Sequence, residues 1–124
     1  MNIERKANVN DLLLVNYVLD ARVRLVRAGT VQVADKADAS TRWPTSDGVA
    51  TYGGPSSLWD EGEIGFSTWT ASDINNTNFG VVIAASITDA SEEGLVVASI
   101  DHVQMTVTYT PRMSLAHRLL LLGD

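Results

Sequence analysis

The chain has 124 residues, a formal net charge of −6 and no cysteine. That length holds one domain with a single core. The missing thiols exclude disulfides, zinc ribbons and thiol catalysis, and the acidic balance argues against the clustered basic face that nucleic-acid phosphates need.

The opening "MNIERKANVN" is polar, with neither an apolar stretch nor a cleavage-site pattern, so no secretory signal is expected. No apolar run reaches the ~20 residues that cross a bilayer, and no membrane partner is expected. Asn10 to Arg27 admits two readings. Leu12, Val15, Leu19, Val23 and Val26 recur at helical spacing, while "ARVRLVRAGTVQVADKA" alternates from Ala21 and breaks at Ala28-Gly29 as a hairpin does. The alternation favours a strand over Ala21 to Arg27 and a second arm over Val31 to Ala37; Leu12 to Val18 stays open between strand and packed connection. Arg22, Arg24 and Arg27, interleaved with Ala21, Val23 and Leu25, read as the wet face of that strand.

"DASTRWPTSDG" is a surface connection punctuated by Pro44, Asp47 and Gly48, and "VATYGG" a short strand ending in a glycine pair. "PSSLWDEGEIGF" carries Leu58, Trp59, Ile64 and Phe66, so it is expected to pack on the domain. Thr70 stands three residues before Asp73, the spacing of a capped helical turn. Phe79 to Ile87 is apolar on both faces and predicts a strand central in a sheet. "LVVASIDHVQMTVTYT" is the longest strand signal, with a slip in alternation at Asp101, where Ile100 and Val103 have opposite parity; a bulge or bend is expected there. Six or seven short strands without a βαβ rhythm predict an all-β fold, an antiparallel two-sheet β-sandwich.

Chemistry-bearing residues are sparse. His102 lies mid-strand and His117 in the tail, which leaves a Ser-His-Asp arrangement little to build on. The acids of "WDEGE" and "TDASEEG" lie in loops, where solvated carboxylates are the ordinary case. Asp73, Asn75, Asn76 and Asn78 place four side-chain oxygens within six positions, a set that could hold calcium. The stretch lacks the glycine and terminal glutamate of a twelve-residue calcium loop, and asparagine is the usual residue of a left-handed corner. The corner is the preferred reading. Trp59 and Trp69 are expected as core plugs, and Trp43, in a loop before Pro44, as the more exposed ring.

"WPTSDGVATYGGPSSLW", "STWTASDINNTNFGVVIAAS" and "ASIDHVQMTVTYT", in this order, resemble a domain of phage and prophage structural proteins found in tail-fibre, adhesin-like and other virion-associated chains. In that pattern a strand ending in Tyr-Gly-Gly-Pro and a Leu-Trp leads to Trp-Thr-x-x-Asp-Ile-Asn. An Asn-Phe-Gly-Val strand and a closing Asp-His-Val-x-Val-Thr-Tyr-like strand follow. The resemblance runs from about Asn2 to Thr110 and implies a jelly-roll-like sandwich on a virion surface, with no catalytic residue to carry over; no cofactor or metal is expected. Members usually begin with one or two strands ahead of the Ile-Glu-Arg-Lys segment, whereas Met1 here stands almost on it. An open edge covered by a neighbouring subunit is the expectation.

Residues 1–110 thus form one β-sandwich domain and 111–124 a short apolar tail, docking on its own domain or on a neighbour. The leading expectation is a non-enzymatic structural protein of a phage virion, a capsid decoration or a tail or fibre component, made in the host cytoplasm. It would assemble as a homo-oligomer, a trimer being one arrangement, and with other virion proteins, through Ile3, Leu115, Leu119 and Leu121. The alternative is a receptor- or glycan-binding adhesion module using Trp43 and Tyr52.

Overall fold

The computed structural model describes residues 1–9, 15–59, 68–90, 95–109 and 111. Among these described residues, six strands and one helical turn follow one another: β1 (Asn2–Val9), β2 (Tyr17–Arg27), β3 (Thr30–Val31), β4 (Gly48–Thr51), α1 (Ala71–Ile74), β5 (Gly80–Thr88) and β6 (Val96–Gln104). They form two antiparallel three-stranded sheets, β4-β1-β6 and β3-β2-β5. No described helix is long and apolar enough to cross a membrane.

Each sheet is centred on the strand whose inward residues are most deeply buried. Ile3, Arg5 and Ala7 alternate inward on β1, and Val18, Asp20, Val23 and Leu25 point inward from β2. Ile3 and Val23 meet in one buried cluster with Met1 and Tyr52, and Ala7 and Val18 meet in a second with Trp43. The two sheets therefore share a core.

The inward run of β2 changes parity between Asp20 and Val23 because a register shift falls there: Asp20 lies opposite Ala85 and Arg22 opposite Ala84. The extra residue, Ala21, is exposed together with Arg22, which returns Val23 to the core. The slip anticipated at Asp101 is also present. Glu4 pairs with His102 and Arg5 with Ile100, leaving Asp101 as the extra residue on β6.

The β2–β3 hairpin turns at Ala28 (φ 50°) and Gly29 (φ 81°), the paired left-handed conformations whose twist matches the flanking strands. Its second arm is far shorter than the alternation of residues 31–37 suggests. The reason is Asp35. Its Oδ1 accepts the Val23 N–H at 3.0 Å and the Ala37 N–H at 3.0 Å, so a side chain takes the ladder position where backbone pairing would continue. Backbone bonds from Gln32 to Leu25 and from Lys36 to Val23 hold the segment alongside β2.

Two expectations on strands change. β5, expected to be central, has β2 as its one ladder neighbour among the described residues. Its apolar run reports partial burial of both faces (Val81 to Ala85 are half-buried), not a strand on each side. β6 ends at Gln104, short of the full alternating run, and residues 105–109 continue outside any ladder.

The segment between β3 and β4 closes one flank of the molecule. Trp43 N–H donates to the Val18 carbonyl and the Pro44 carbonyl accepts from Ala7 N–H, both at 2.8 Å, so adjacent residues are tied to both sheets. On the opposite flank β5 lies against β6, and no comparable tie joins them among the described residues.

Past β4 the chain turns sharply at Gly53, which adopts φ +69°. A Cβ there would stand 2.5 Å from Trp59 Nε1 and 3.1 Å from the Ser57 carbonyl oxygen, so both backbone and ring require glycine. Trp59 packs on the core cluster as expected of a plug, while Leu58 is exposed; Ile64 and Phe66 lie outside the described residues. Gly53→Ala is expected to lower stability by about 1–3 kcal/mol, read as a reduced urea midpoint with an unchanged slope. An unshifted midpoint would contradict this account of the turn.

Candidate functional site

Arg5 and Asp20 stand on the inner faces of the two central strands, and both are buried. Arg5 Nη1 forms an ion pair with Asp20 Oδ1 across the gap between sheets and donates to the Tyr52 hydroxyl at 2.7 Å. Trp43 Nε1 donates to Asp20 Oδ1 at 2.7 Å, the Tyr52 hydroxyl to Oδ2 at 2.8 Å and the Asp38 N–H to Oδ2 at 3.0 Å. The guanidinium carbon sits 5.4 Å from the Trp43 ring centroid and 5.8 Å from that of Tyr52, within the range of cation–π attraction.

Four donors converge on one carboxylate, and the charge opposite is flanked by two aromatic rings. No donor to such a saturated carboxylate can swing away without leaving a buried polar atom bare. The arrangement is a lock between sheets. The partners arrive from four parts of the chain: β1, β2, the crossing segment and the end of β4.

This placement corrects the sequence reading of the two rings. Trp43 and Tyr52, candidates for ligand contact, are 4% and 5% exposed, because the polar tip of each must reach Asp20. Ile3, a candidate assembly residue, is 1% exposed and belongs to the interior of the chain's own fold, since its parity on β1 matches that of Arg5. Leu115, Leu119, Leu121 and His117 lie outside the described residues. His102 is exposed on β6.

The asparagine-rich stretch is a corner feeding β5. Thr70 caps α1 with its hydroxyl on the Asp73 N–H, and the Asp73 carboxylate returns to the Thr70 N–H. The same Asp73 Oδ2 pairs with Arg27 Nη2 at 2.9 Å. Asn76 Oδ1 accepts from the Asn78 N–H at 2.8 Å, and the Asn78 carbonyl accepts from the Gly29 N–H at 3.0 Å, docking the corner on the β2–β3 turn. Asn75 is the C-cap of α1. Trp69 meets Phe79 edge-to-face, with ring centroids 5.8 Å apart, and lies under the Arg27 guanidinium. Two of the four oxygen-bearing side chains are thus committed to local structure, and no cluster of three metal-ligating acids or histidines occurs among the described residues.

Several ionisations follow from these contacts. The hydrogen bond from Arg27, then that from the Thr70 backbone, holds the Asp73 carboxyl below its ordinary range. Side-chain hydrogen bonds from Ser40 and Thr41 pull Asp38 down. Burial works to raise Asp35, but the N–H groups of Val23 and Ala37 and the Arg24 side chain outweigh it and the net shift is downward. Burial, reinforced by the hydrogen bond to Asp20 and its negative charge, drives the Tyr52 phenol well above its ordinary value.

The open flank is the other feature of note. Ile87, Ile100 and Val103 lie on inward-facing register positions, opposite Val18, Arg5 and Ile3, yet they are 50%, 42% and 40% exposed. Inward residues on the central strands are nearly inaccessible, so the interior comes to the surface between β5 and β6.

The ion pair was missed in the sequence, although a signal for it exists. Arg5 sits between Ile3 and Ala7 and Asp20 two residues after Val18, so opposite charges occupy inward parity on two strands. Compared with family models, with curated proteins and with solved structures, the chain matches none.

Asp20→Asn or Arg5→Met, each leaving a buried charge without its partner, is expected to cost about 3–5 kcal/mol. The double variant Arg5→Met/Asp20→Asn should lose less than the sum of the two single losses, and additive losses in a urea denaturation cycle would rule out direct coupling. Tyr52 generates a pH dependence. Its folded pKa is raised, so its contribution to stability is complete below the unfolded value of about 10 and falls as pH climbs above it. Stability is expected to decline above about pH 10 more steeply in the wild type than in Tyr52→Phe, checked by denaturant unfolding across alkaline pH.

Proposed function

We propose that this chain is a non-enzymatic structural building block of a phage virion, a capsid decoration or a tail or fibre component. It folds as a jelly-roll-like sandwich and acts by subunit assembly and surface presentation. The observation carrying this reading is the asymmetry of the two flanks. One is tied shut by residues 43 and 44, while the other presents Ile87, Ile100 and Val103 from inward positions. Apolar residues rising to the surface along strand edges favour association with another chain. The ordered series of Tyr-Gly-Gly-Pro, Trp-Thr-x-x-Asp-Ile-Asn, Asn-Phe-Gly-Val and Asp-His-Val segments supplies the virion context.

On this reading the partners are further copies of the chain and other virion proteins, and the place of action is the particle, after synthesis in the host cytoplasm. The mechanism is cohesion: apolar area leaves water and strand edges gain partners. The alternative adhesion module loses the support of Trp43 and Tyr52, whose rings are spent on Arg5.

The test is the mass of the full chain in solution by size-exclusion chromatography with light scattering over a concentration series. A discrete oligomer at micromolar concentration is expected, and a monomer throughout the series would overturn the assembly reading.

A further inference from the structure

We infer that two copies of this chain pair through the edge of β6 that no described strand occupies, antiparallel about a two-fold axis passing between Asp101 and His102. The inference deepens the assembly reading and rests on it, and it assigns that assembly one strand, one register and one symmetry.

The argument starts from the bulge. Before it, the inward residues of β6 are even-numbered: Val96, Ala98 and Ile100, opposite Val9, Ala7 and Arg5. After it they are odd: Val103 stands opposite Ile3, and Met105 packs on the core cluster. In an antiparallel two-fold pair, the first half of one strand runs beside the second half of the other. An unbroken alternating strand meets its own copy face to face when centred on a residue. A strand with one parity slip does so over its full length only when centred between two residues, close to the slip.

Charge selects among these registers. With the axis between Asp101 and His102, Asp101 lies opposite the partner's His102, and symmetry repeats the pair. Ile100 then lies opposite the partner's Val103, Ala98 opposite the partner's Met105 and Ser99 opposite the partner's Gln104. Every like face is matched. The half-exposed inward residues Ile100 and Val103 cover one another, and Val107, 44% exposed beyond the strand end, falls opposite the partner's Val96. The two β4-β1-β6 sheets become one continuous sheet. β5 offers no equivalent, because none of its nine residues is ionisable and nothing specifies its register.

The experiment measures self-association of the full chain by light scattering and sedimentation for the wild type, Asp101→His, His102→Asp and the exchanged double variant Asp101→His/His102→Asp. Circular dichroism checks each fold. The wild type is expected as a two-copy species. Either single change sets like groups opposite each other twice and should weaken association about tenfold or more, while the exchange recreates the pairs and should return it to within about threefold. An oligomer indifferent to the single changes, or folded singles that the exchange does not rescue, would overturn the β6 pairing and leave assembly itself standing. A monomer in every case would overturn both.

Discussion

The architecture turns on a single contact between sheets, the ion pair of Arg5 and Asp20. Charges in an apolar interior are costly to desolvate, and a buried pair is tolerated only when its remaining hydrogen-bonding capacity is met. Here the requirement is met from outside the two strands: Trp43 and Asp38 from the crossing segment, Tyr52 from the end of β4. The contact therefore organises more than the facing of the sheets. It fixes the path of the chain between β3 and β4, because that segment must bring an indole and a backbone N–H to one carboxylate.

That path in turn makes the two flanks unequal. With Trp43 held at Asp20, its own N–H reaches Val18 and the next carbonyl reaches Ala7, which closes one side with main-chain bonds to both sheets. Nothing equivalent draws β5 and β6 together among the described residues. A polar lock placed toward one side of the core thus leaves apolar inward positions thinly covered on the other. The exposure of Ile87, Ile100 and Val103 is a consequence of where the buried charges sit.

Much of this was legible in the sequence, and the failures share a cause. The strand alternation, the turn at Ala28-Gly29, the capping box of Thr70 and Asp73 and the slip at Asp101 are local signals, each set by periodicity or by a side chain bonding its own neighbourhood. Trp43 and Tyr52 were misjudged because loop position and aromatic type do not reveal whether a polar tip has a buried acceptor; that acceptor is 23 residues from Trp43 and 32 from Tyr52. Ile3 was misplaced for the same reason: an apolar residue near the start of a chain looks available until its parity is aligned with that of the opposing strand. The short β3 depended on Asp35 reaching back twelve residues to the Val23 amide. The central place expected for β5 failed because hydrophobicity on both faces reports coverage, and coverage can come without a second ladder.

The two bulges belong to the same design. One follows Asp20 directly on β2, and the other lies on β6 beside the Glu4–Arg5 step of β1, so each member of the ion pair sits at a point where a neighbouring ladder skips a residue. A bulge adds local twist and re-aims the side chains around it. On β2 it lets Asp20 face inward while Val23 and Leu25 resume the apolar stripe three and five positions later. On β6 it lets Ile100 lie beside Arg5 and Val103 beside Ile3, both inward, with Asp101 left exposed. Without that skip, Val103 would stand on the outer face and the core beside Ile3 would lose its lateral wall. The irregularity that lies beside the buried Arg5 is thus also what gives β6 two inward halves of opposite parity.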